Sequence, residues 1–307
     1  MKTFREALAD VTEKRVALAH FNVANLDMLH AVVRAADAVG EPVIVGVSEG
    51  ERDAIGIKEL VVLMKEMQLG VDVPLFLNAD HTYSVERVKE AIDAGFDAVI
   101  YDGAKLPIDE NIANTKECVE YARASGRDVL VEGELGFIGS GSQVFDAVPE
   151  GAIITSEMMT TVEEAVRFVT ETSVDLFAPA VGNVHGIILP ALRLRQTGLP
   201  SEALPSGAKE GADVLNIGRI QAISEATGKP LVLHGGSGVS DEDFTAAIKA
   251  GIRIVHISTE LRRAYRQGLE HDMAGSPKEL APYKYMDEAA AGVQALAEGR
   301  ARLFSGQ

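Results

Sequence analysis

A single cysteine, Cys118, in 307 residues excludes a disulfide framework and a cysteine-rich zinc module. That scarcity suits a reducing compartment. Positive charge is the second shortage: 29 Lys and Arg stand against 46 Asp and Glu, a formal net charge of −17. Phosphate backbones and anionic membranes need net positive surfaces, so neither nucleic acid nor a membrane is expected as a partner. A small phosphorylated ligand needs only a local site and stays open. Long apolar runs are missing too. No stretch of about 18 apolar residues occurs, so no spanning helix is expected. Met1-Lys2-Thr3-Phe4-Arg5-Glu6 lacks the apolar stretch of a signal peptide. What remains, with 47% hydrophobic and 24% charged residues, is the composition of a cytoplasmic globular protein with ample core material.

Short apolar, β-branched runs recur at 16–22, 42–48, 74–80, 97–102, 128–134, 174–182, 230–234 and 252–257. Continuous apolar runs suit strands buried on both faces, as in a parallel sheet. Amphipathic segments separate them. In 84–94, Val85, Val88 and Ile92 share a helical face and Gly95 ends it. In 240–250, Ser240 can cap, Asp243 follows three residues on, and Gly251 closes the segment. Ala91-Ile92-Asp93-Ala94-Gly95 and Ala247-Ile248-Lys249-Ala250-Gly251 are a faint repeat of one βα unit. A doubly wound nucleotide fold would place G-x-G-x-x-G after the first strand, but Phe21-Asn22-Val23-Ala24-Asn25 stands there. Eight strand–helix alternations predict an α/β (β/α)8 TIM barrel. A barrel needs ~250 residues. The surplus falls in a lengthened loop after strand 6 (187–212) and a C-terminal helical extension (276–304), giving one domain over 1–307.

In such a barrel the active site lies at the carboxyl ends of the strands. The polar residues there are Asn22, Ser48, Asp80-His81, Asp102, Glu132, Glu134, Asn183, His185, His234 and His256. His81, His185 and His234 could form a three-imidazole zinc site with one open position; hydrogen-bonded structural histidines are the other reading. His20, His30 and His271 are read as structural or surface residues. Glu132 and Glu134 alternate by two and so share the pore side of strand 5; one could bind a metal or sit just behind its ligands. His234-Gly235-Gly236-Ser237-Gly238 after strand 7 offers backbone N–H groups to an anion. Ser258-Thr259 opens the next helix after strand 8. Phosphate sites of barrels typically use these two loops. No lysine lies at a strand end, which argues against Schiff-base chemistry and for a metal electrophile. Arg52-Asp53, in the loop after strand 2, could reach substrate, but the preferred reading is a solvated loop pair.

These residues resemble the class II, metal-dependent ketose-bisphosphate aldolases over nearly the whole chain. The segments that carry the resemblance are Phe21-Asn22-Val23, Pro42-Val43-Ile44 with Ser48, Ala79-Asp80-His81, Asp102, Glu132-Gly133-Glu134-Leu135-Gly136, Gly182-Asn183-Val184-His185-Gly186, His234-Gly235-Gly236-Ser237-Gly238 and Thr259-Glu260-Leu261. The resemblance implies His81, His185 and His234 as zinc ligands, with Glu134 as an alternative ligand or neighbour. It implies Asp80 as the acid/base for the C4 hydroxyl, and Asp102 and Glu132 behind the ligands or at a second metal. Gly186, Gly235, Gly236, Ser237, Ser258 and Thr259 match phosphate-binding backbone, where a second divalent or monovalent cation also fits. Asn22, Ser48 and His256 fall among the substrate contacts. Members are usually dimers or larger, so a homo-oligomer, dimer or tetramer, is expected. The implied reaction is cleavage of fructose 1,6-bisphosphate to dihydroxyacetone phosphate and glyceraldehyde 3-phosphate, in glycolysis and gluconeogenesis. Tagatose 1,6-bisphosphate or another ketose phosphate is the alternative substrate, and a non-catalytic sugar-phosphate-binding barrel the lesser one. The chain departs from the family pattern at three places. His256 replaces an Asn on strand 8. Leu189 replaces a Lys, with Lys209 as a substitute. The loop 137–143 lacks the acid that moves the triose proton, the nearest acids being Asp146 and Glu150.

Overall fold

The structure is a computed structural model that describes residues 1–136, 138, 158–183 and 215–307, with the backbone of 144–145 and 187–188. Eight strands, β1 (Leu18–Asn22), β2 (Val43–Val47), β3 (Leu75–Thr82), β4 (Ala98–Tyr101), β5 (Leu130–Leu135), β6 (Leu176–Pro179), β7 (Leu231–Leu233) and β8 (Ile252–Ile257), close into a barrel. Each pairs in parallel with its sequence neighbour, and β8 returns to β1 with His20 opposite His256. The expected (β/α)8 barrel is therefore the observed one. The strands are apolar on both faces because one face packs on helices and the other fills the barrel. The loops after β5 and β6 meet where Val144–Phe145 pairs in parallel with Ile187–Ile188.

Helix α1 (Phe4–Lys14) precedes the barrel and plugs its floor: Phe4 stacks on Phe76 at 4.6 Å, within a cluster that includes Leu18, Ile44, Leu130 and Ile254. The ring consists of α2 (Leu26–Val39), the pair α3 (Glu49–Ile55) and α4 (Ile57–Gln68), α5 (Val85–Ala94), α6 (Ile108–Ala124), α7 (Val162–Thr172), α8 (Ile217–Thr227) and α9 (Asp241–Ala250). Ser84 and Ser240 cap α5 and α9 through the Arg87 and Asp243 amides, and Gly95 and Gly251 end them at φ of 119° and 137°. The faint repeat is thus a real pair of helix ends. Among the described residues no helix is long and apolar enough to cross a membrane.

The C-terminal extension takes a more integral place than expected. Helix α10 (Thr259–Gly275) follows β8 yet buries only Thr259 and Leu261. Helix α11 (Asp287–Ser305) buries Ala289, Val293, Ala297, Ala301 and Phe304 and packs on β1, α2, α9 and α10. It therefore fills the eighth place in the helix ring, with α10 laid outside it. The crossing is close: a Cβ on Gly268 would meet the Ala289 backbone at 2.5 Å.

Candidate active site

Strand side chains alternate, so residues two apart line the same face. Above the apolar floor the inward positions turn polar: Leu18 gives way to His20 and Asn22, Phe76 to Asn78 and Asp80, Leu130 to Glu132 and Glu134, and Val232 and Ile254 to His234 and His256. All of these polar groups are buried. His20 finds room because Gly46 lies beside it; a Cβ there would sit 1.9 Å from the imidazole Cε1. Asp80 and His81 are consecutive, yet both serve this cavity. The pairing of β3 with β4 slips between Ala79 and Thr82, and His81 takes φ of 32°. A bulge of this kind re-aims a side chain that regular alternation would send outward.

Two imidazoles meet at the centre. His81 Nδ1–H donates to Asp102 Oδ2 at 2.9 Å, and His234 Nε2–H donates to Glu132 Oε1 at 2.7 Å. Their other nitrogens, His81 Nε2 and His234 Nδ1, face each other at 3.2 Å. With both rings neutral these are two lone pairs, so a proton or a cation must lie between them. Two nitrogens on one tetrahedral cation at ~2.0–2.1 Å stand roughly 3.3 Å apart. Carboxylates behind the imidazoles are also what metal-binding histidines use to fix tautomer and direction. Glu134 adds a buried Oε2 that has no hydrogen-bond partner among the described residues and lies 3.8 Å from His81 Nδ1. The described donors thus fit a divalent metal. Burial alone would lower the His81 pKa, but Asp80, Asp102 and Glu134 raise it to about 10. Burial and Asp102 push Glu134 up to about 8.

Asp80 lies beside this pair. Asn22 Nδ2 donates to its Oδ2 at 2.8 Å, and His256 Nδ1 is 3.3 Å from its Oδ1. Burial would raise its pKa, yet His81, His256 and His20 hold it well below the usual range, so Asp80 is ionised at neutral pH. His256 stacks on His20 with centroids 3.5 Å apart and planes 4° from parallel. Burial lowers the pKa of both, His20 to about 4. His20, Asp80 and His256 are near enough to suggest a second cation. Stacked rings, however, send their in-plane lone pairs along parallel lines, so they make a poor shared site.

The loop after β7 is tied to α10. Glu260 N–H donates to Ser237 Oγ at 3.1 Å, and Glu260 Oε1 accepts from Gly238 N–H at 2.8 Å. The Gly238 amide is therefore committed, which leaves Gly235, Gly236, the Ser237 hydroxyl hydrogen and the Ser258-Thr259 start of α10 for an anion. Ser48 caps α3 by donating to Glu51 Oε2 at 2.9 Å. Asn183 donates to the His234 carbonyl at 3.0 Å and so holds the start of this loop.

The structure gathers Asn22, Asp80, His81, Asp102, Glu132, Glu134, His234 and His256 around one cavity. His185, Gly186, Leu189, Lys209, Asp146, Glu150 and the 187–212 loop lie outside the described residues. One sequence reading holds and one changes. His20 is buried under the site against His256; lying two residues before Asn22, it shares that residue's face, a signal the alternation already contained. Arg52 is no solvated loop residue: it is 1% exposed and hydrogen-bonds β2 and β3, whereas Asp53 is exposed and pairs with Arg87. Glu51 was also missed. It accepts from Ser48, Asn22 (3.2 Å) and Arg262 (2.6 Å), and nothing in its local sequence shows the last two partners.

Comparison with known proteins identifies the family. Residues 2–307 match the fructose-bisphosphate aldolase class-II family. The chain is 35% identical over 300 residues to a 6-phospho-5-dehydro-2-deoxy-D-gluconate aldolase of Shouchella clausii, covering 97% of this chain and 92% of that protein. It is 33% identical over 305 residues to a fructose-bisphosphate aldolase of Geobacillus stearothermophilus, covering 98% and 96%. The solved YdjI aldolase of Escherichia coli K12 superposes with a TM-score of 0.77 at 28% identity, covering 99% of this chain and 97% of that one. A metal-fitting histidine pair, an ionised aspartate beside it and full-length family agreement lead to one conclusion: the chain belongs to the class II fructose-bisphosphate aldolase family and is a carbon–carbon lyase.

Proposed function

We propose that this protein is a zinc-dependent aldolase that reversibly cleaves fructose 1,6-bisphosphate to dihydroxyacetone phosphate and glyceraldehyde 3-phosphate. The observation that carries the reading is the ionised Asp80 beside facing imidazole nitrogens 3.2 Å apart. His81, His185 and His234 are the proposed zinc ligands, with Glu134 and Asp102 close enough to His81 to join them. Zinc, when bound, supplies a Lewis acid that polarises the ketone.

The remaining work falls to side chains. Glu132 and Asp102 fix the tautomers of His234 and His81. Asp80 accepts the proton of the C4 hydroxyl as the C3–C4 bond breaks, and the C4 oxygen becomes the aldehyde carbonyl. The bonding pair stays with the C3 fragment, which takes up a proton and leaves as dihydroxyacetone phosphate. In the reverse direction Asp80 returns its proton to the new hydroxyl. Asn22 orients Asp80, and its Oδ1, without a hydrogen-bond partner among the described residues, can accept from a sugar hydroxyl; Ser48 lies at the same rim. Gly186, Gly235, Gly236, Ser237, Ser258 and Thr259 are proposed to hold phosphate.

A second reading, cleavage of tagatose 1,6-bisphosphate or another phosphorylated ketose, is favoured by His256. Its Nε2 has no hydrogen-bond partner among the described residues, while its Nδ1 reaches to 3.3 Å from Asp80, so it offers a sugar a different contact from an amide. The relative that acts on a deoxygluconate phosphate shows that this fold serves such substrates. Zinc-restored protein assayed on fructose and tagatose bisphosphates and on 6-phospho-5-dehydro-2-deoxygluconate, ranked by kcat/KM, separates the readings. Cleavage of none of them, with triose phosphate bound but no proton exchange in heavy water, would leave a binding barrel. The protein is further proposed to act in the cytoplasm as one domain and to assemble as a dimer or tetramer. Exposed Met273, Leu280 and Tyr283, in and just after α10, are apolar surface for such an assembly, which light scattering on the eluting protein measures.

A further inference from the structure

Asp80 and His81 can face one cavity only while β3 keeps its bulge. That backbone is not self-sustaining. His81 sits at φ of 32°, in the left-handed region that non-glycine residues seldom occupy, and such conformations persist only where the surroundings enforce them. Residues 80 and 81 also fall at the register slip, where the ladder to β4 is interrupted.

Arg52 supplies the missing restraint. Its side chain runs from α3 into the interior and is 1% exposed. Nη1–H donates to the Val47 carbonyl at 2.8 Å and to the Asp80 carbonyl at 3.1 Å, and Nη2–H donates to Thr82 Oγ1 at 3.0 Å. All three acceptors are uncharged, and Nε has no partner. A guanidinium buried on neutral acceptors is poorly compensated for its lost hydration, so stability alone is a weak reason for it to be there. Its placement is specific. The acceptors lie on residues 80 and 82, one on each side of His81, and the third anchors the fork to the end of β2. A planar fork of fixed donors spans such a pair of acceptors, which a single ammonium does not do equally well.

We propose that Arg52 is a positioning residue: by clamping both flanks of the β3 bulge to β2 it aims His81 at the metal and Asp80 at the substrate hydroxyl. The proposal rests on the functional reading of Asp80 and His81 given above. It touches neither substrate nor metal, so its loss acts through those two side chains.

The test compares wild type, Arg52→Met, Arg52→Lys, Thr82→Val and the control Asp53→Ala, an exposed neighbour on the same helix that pairs with Arg87. The Asp53 carboxylate makes no hydrogen bond to Arg52 among the described residues. Each variant is measured for zinc Kd by competition with a chelating dye, for kcat and KM, and for melting temperature. Arg52→Met is expected to lose about 100-fold in kcat with KM within about threefold, as misplacement of a reacting group by about 1 Å does. Its zinc affinity should weaken about 10-fold or more, the scale of a lost support behind a metal ligand. Arg52→Lys should recover part of both, and Asp53→Ala should match wild type. Kd and kcat of Arg52→Met within twofold of wild type, with only the melting temperature lowered, would overturn the proposal. If Arg52→Met does not fold, Thr82→Val decides: it removes one acceptor, and unchanged zinc affinity and kcat there also overturn it. If the wild type cleaves no sugar phosphate, the functional reading fails, while the zinc affinities still decide the role of Arg52.

Discussion

At the scale of single residues, Asp80 is the proposed acid/base, and three imidazoles and one amide surround it. Its carboxylate is kept ionised by the same groups that aim it. Asp80→Asn keeps the shape and removes the proton acceptor. The expected outcome is a kcat lower by roughly 10²–10⁴-fold with zinc content unchanged, read by steady-state assay and elemental analysis. His256 is proposed to bear on selection more than on rate. His256→Asn exchanges a rigid, stacked ring for an amide, so the ratio of kcat/KM between fructose and tagatose bisphosphates should move by about tenfold or more, since a changed polar contact to a substrate hydroxyl alters discrimination on that scale. An unchanged ratio would show that this ring does not face the sugar. Residue types at strand ends made Asp80, His81, Glu132, Glu134 and His234 legible in the sequence. Arg52 and Glu51 were not legible, because their partners come from β1, β3 and α10, up to 211 positions away.

At the scale of elements, the strands read well because each is a continuous apolar run, and the helices because their caps and closing glycines are local signals. Two features escaped that reading. The bulge in β3 leaves no trace in composition, since Ala79-Asp80-His81-Thr82 is as compatible with regular alternation as with a slip. The exchange of places between α10 and α11 is equally hidden, because both helices are amphipathic and only packing shows which one the barrel accepts. That exchange makes a clear expectation. Gly268→Ala brings a methyl group to within 2.5 Å of the Ala289 backbone, which cannot yield as a side chain tip would. It should cost about 1–3 kcal/mol and lower the melting temperature by several degrees, while kcat stays within twofold. A calorimetric scan with a parallel assay checks it; a normal melting temperature would mean that the two helices separate freely.

At the scale of the whole molecule, the proposed zinc would couple folding to pH. It would bind the folded barrel and find no preformed site in the unfolded chain, so removing it with a chelator should lower the melting temperature, and restoring it at about 100 times its Kd should return roughly 2.7 kcal/mol. His81 sets the sign of the pH dependence. In the metal-free protein its folded pKa, about 10, lies above the ordinary 6.5. The stability it contributes is therefore fully present below pH 6.5 and lost as pH rises through about 10. A cation needs the neutral ring and must displace that proton. Zinc affinity should therefore rise with pH across this window, with close to one proton released per zinc, measured by titration calorimetry in buffers of different ionisation enthalpy. Affinity that falls as pH rises from 6.5 to 8.5 would count against His81 as a ligand. The sequence by itself determined the barrel and the residue types at the strand ends, with no lysine among them, because hydrophobic period and local caps are written in neighbouring positions. Only the tertiary structure decided which nitrogens face each other, that His20 supports His256, that α11 closes the helix ring, and that a buried arginine spans the bulge beneath Asp80. Those are relations among residues far apart in the chain, set by barrel closure and by the slip of one strand, and no local pattern encodes them.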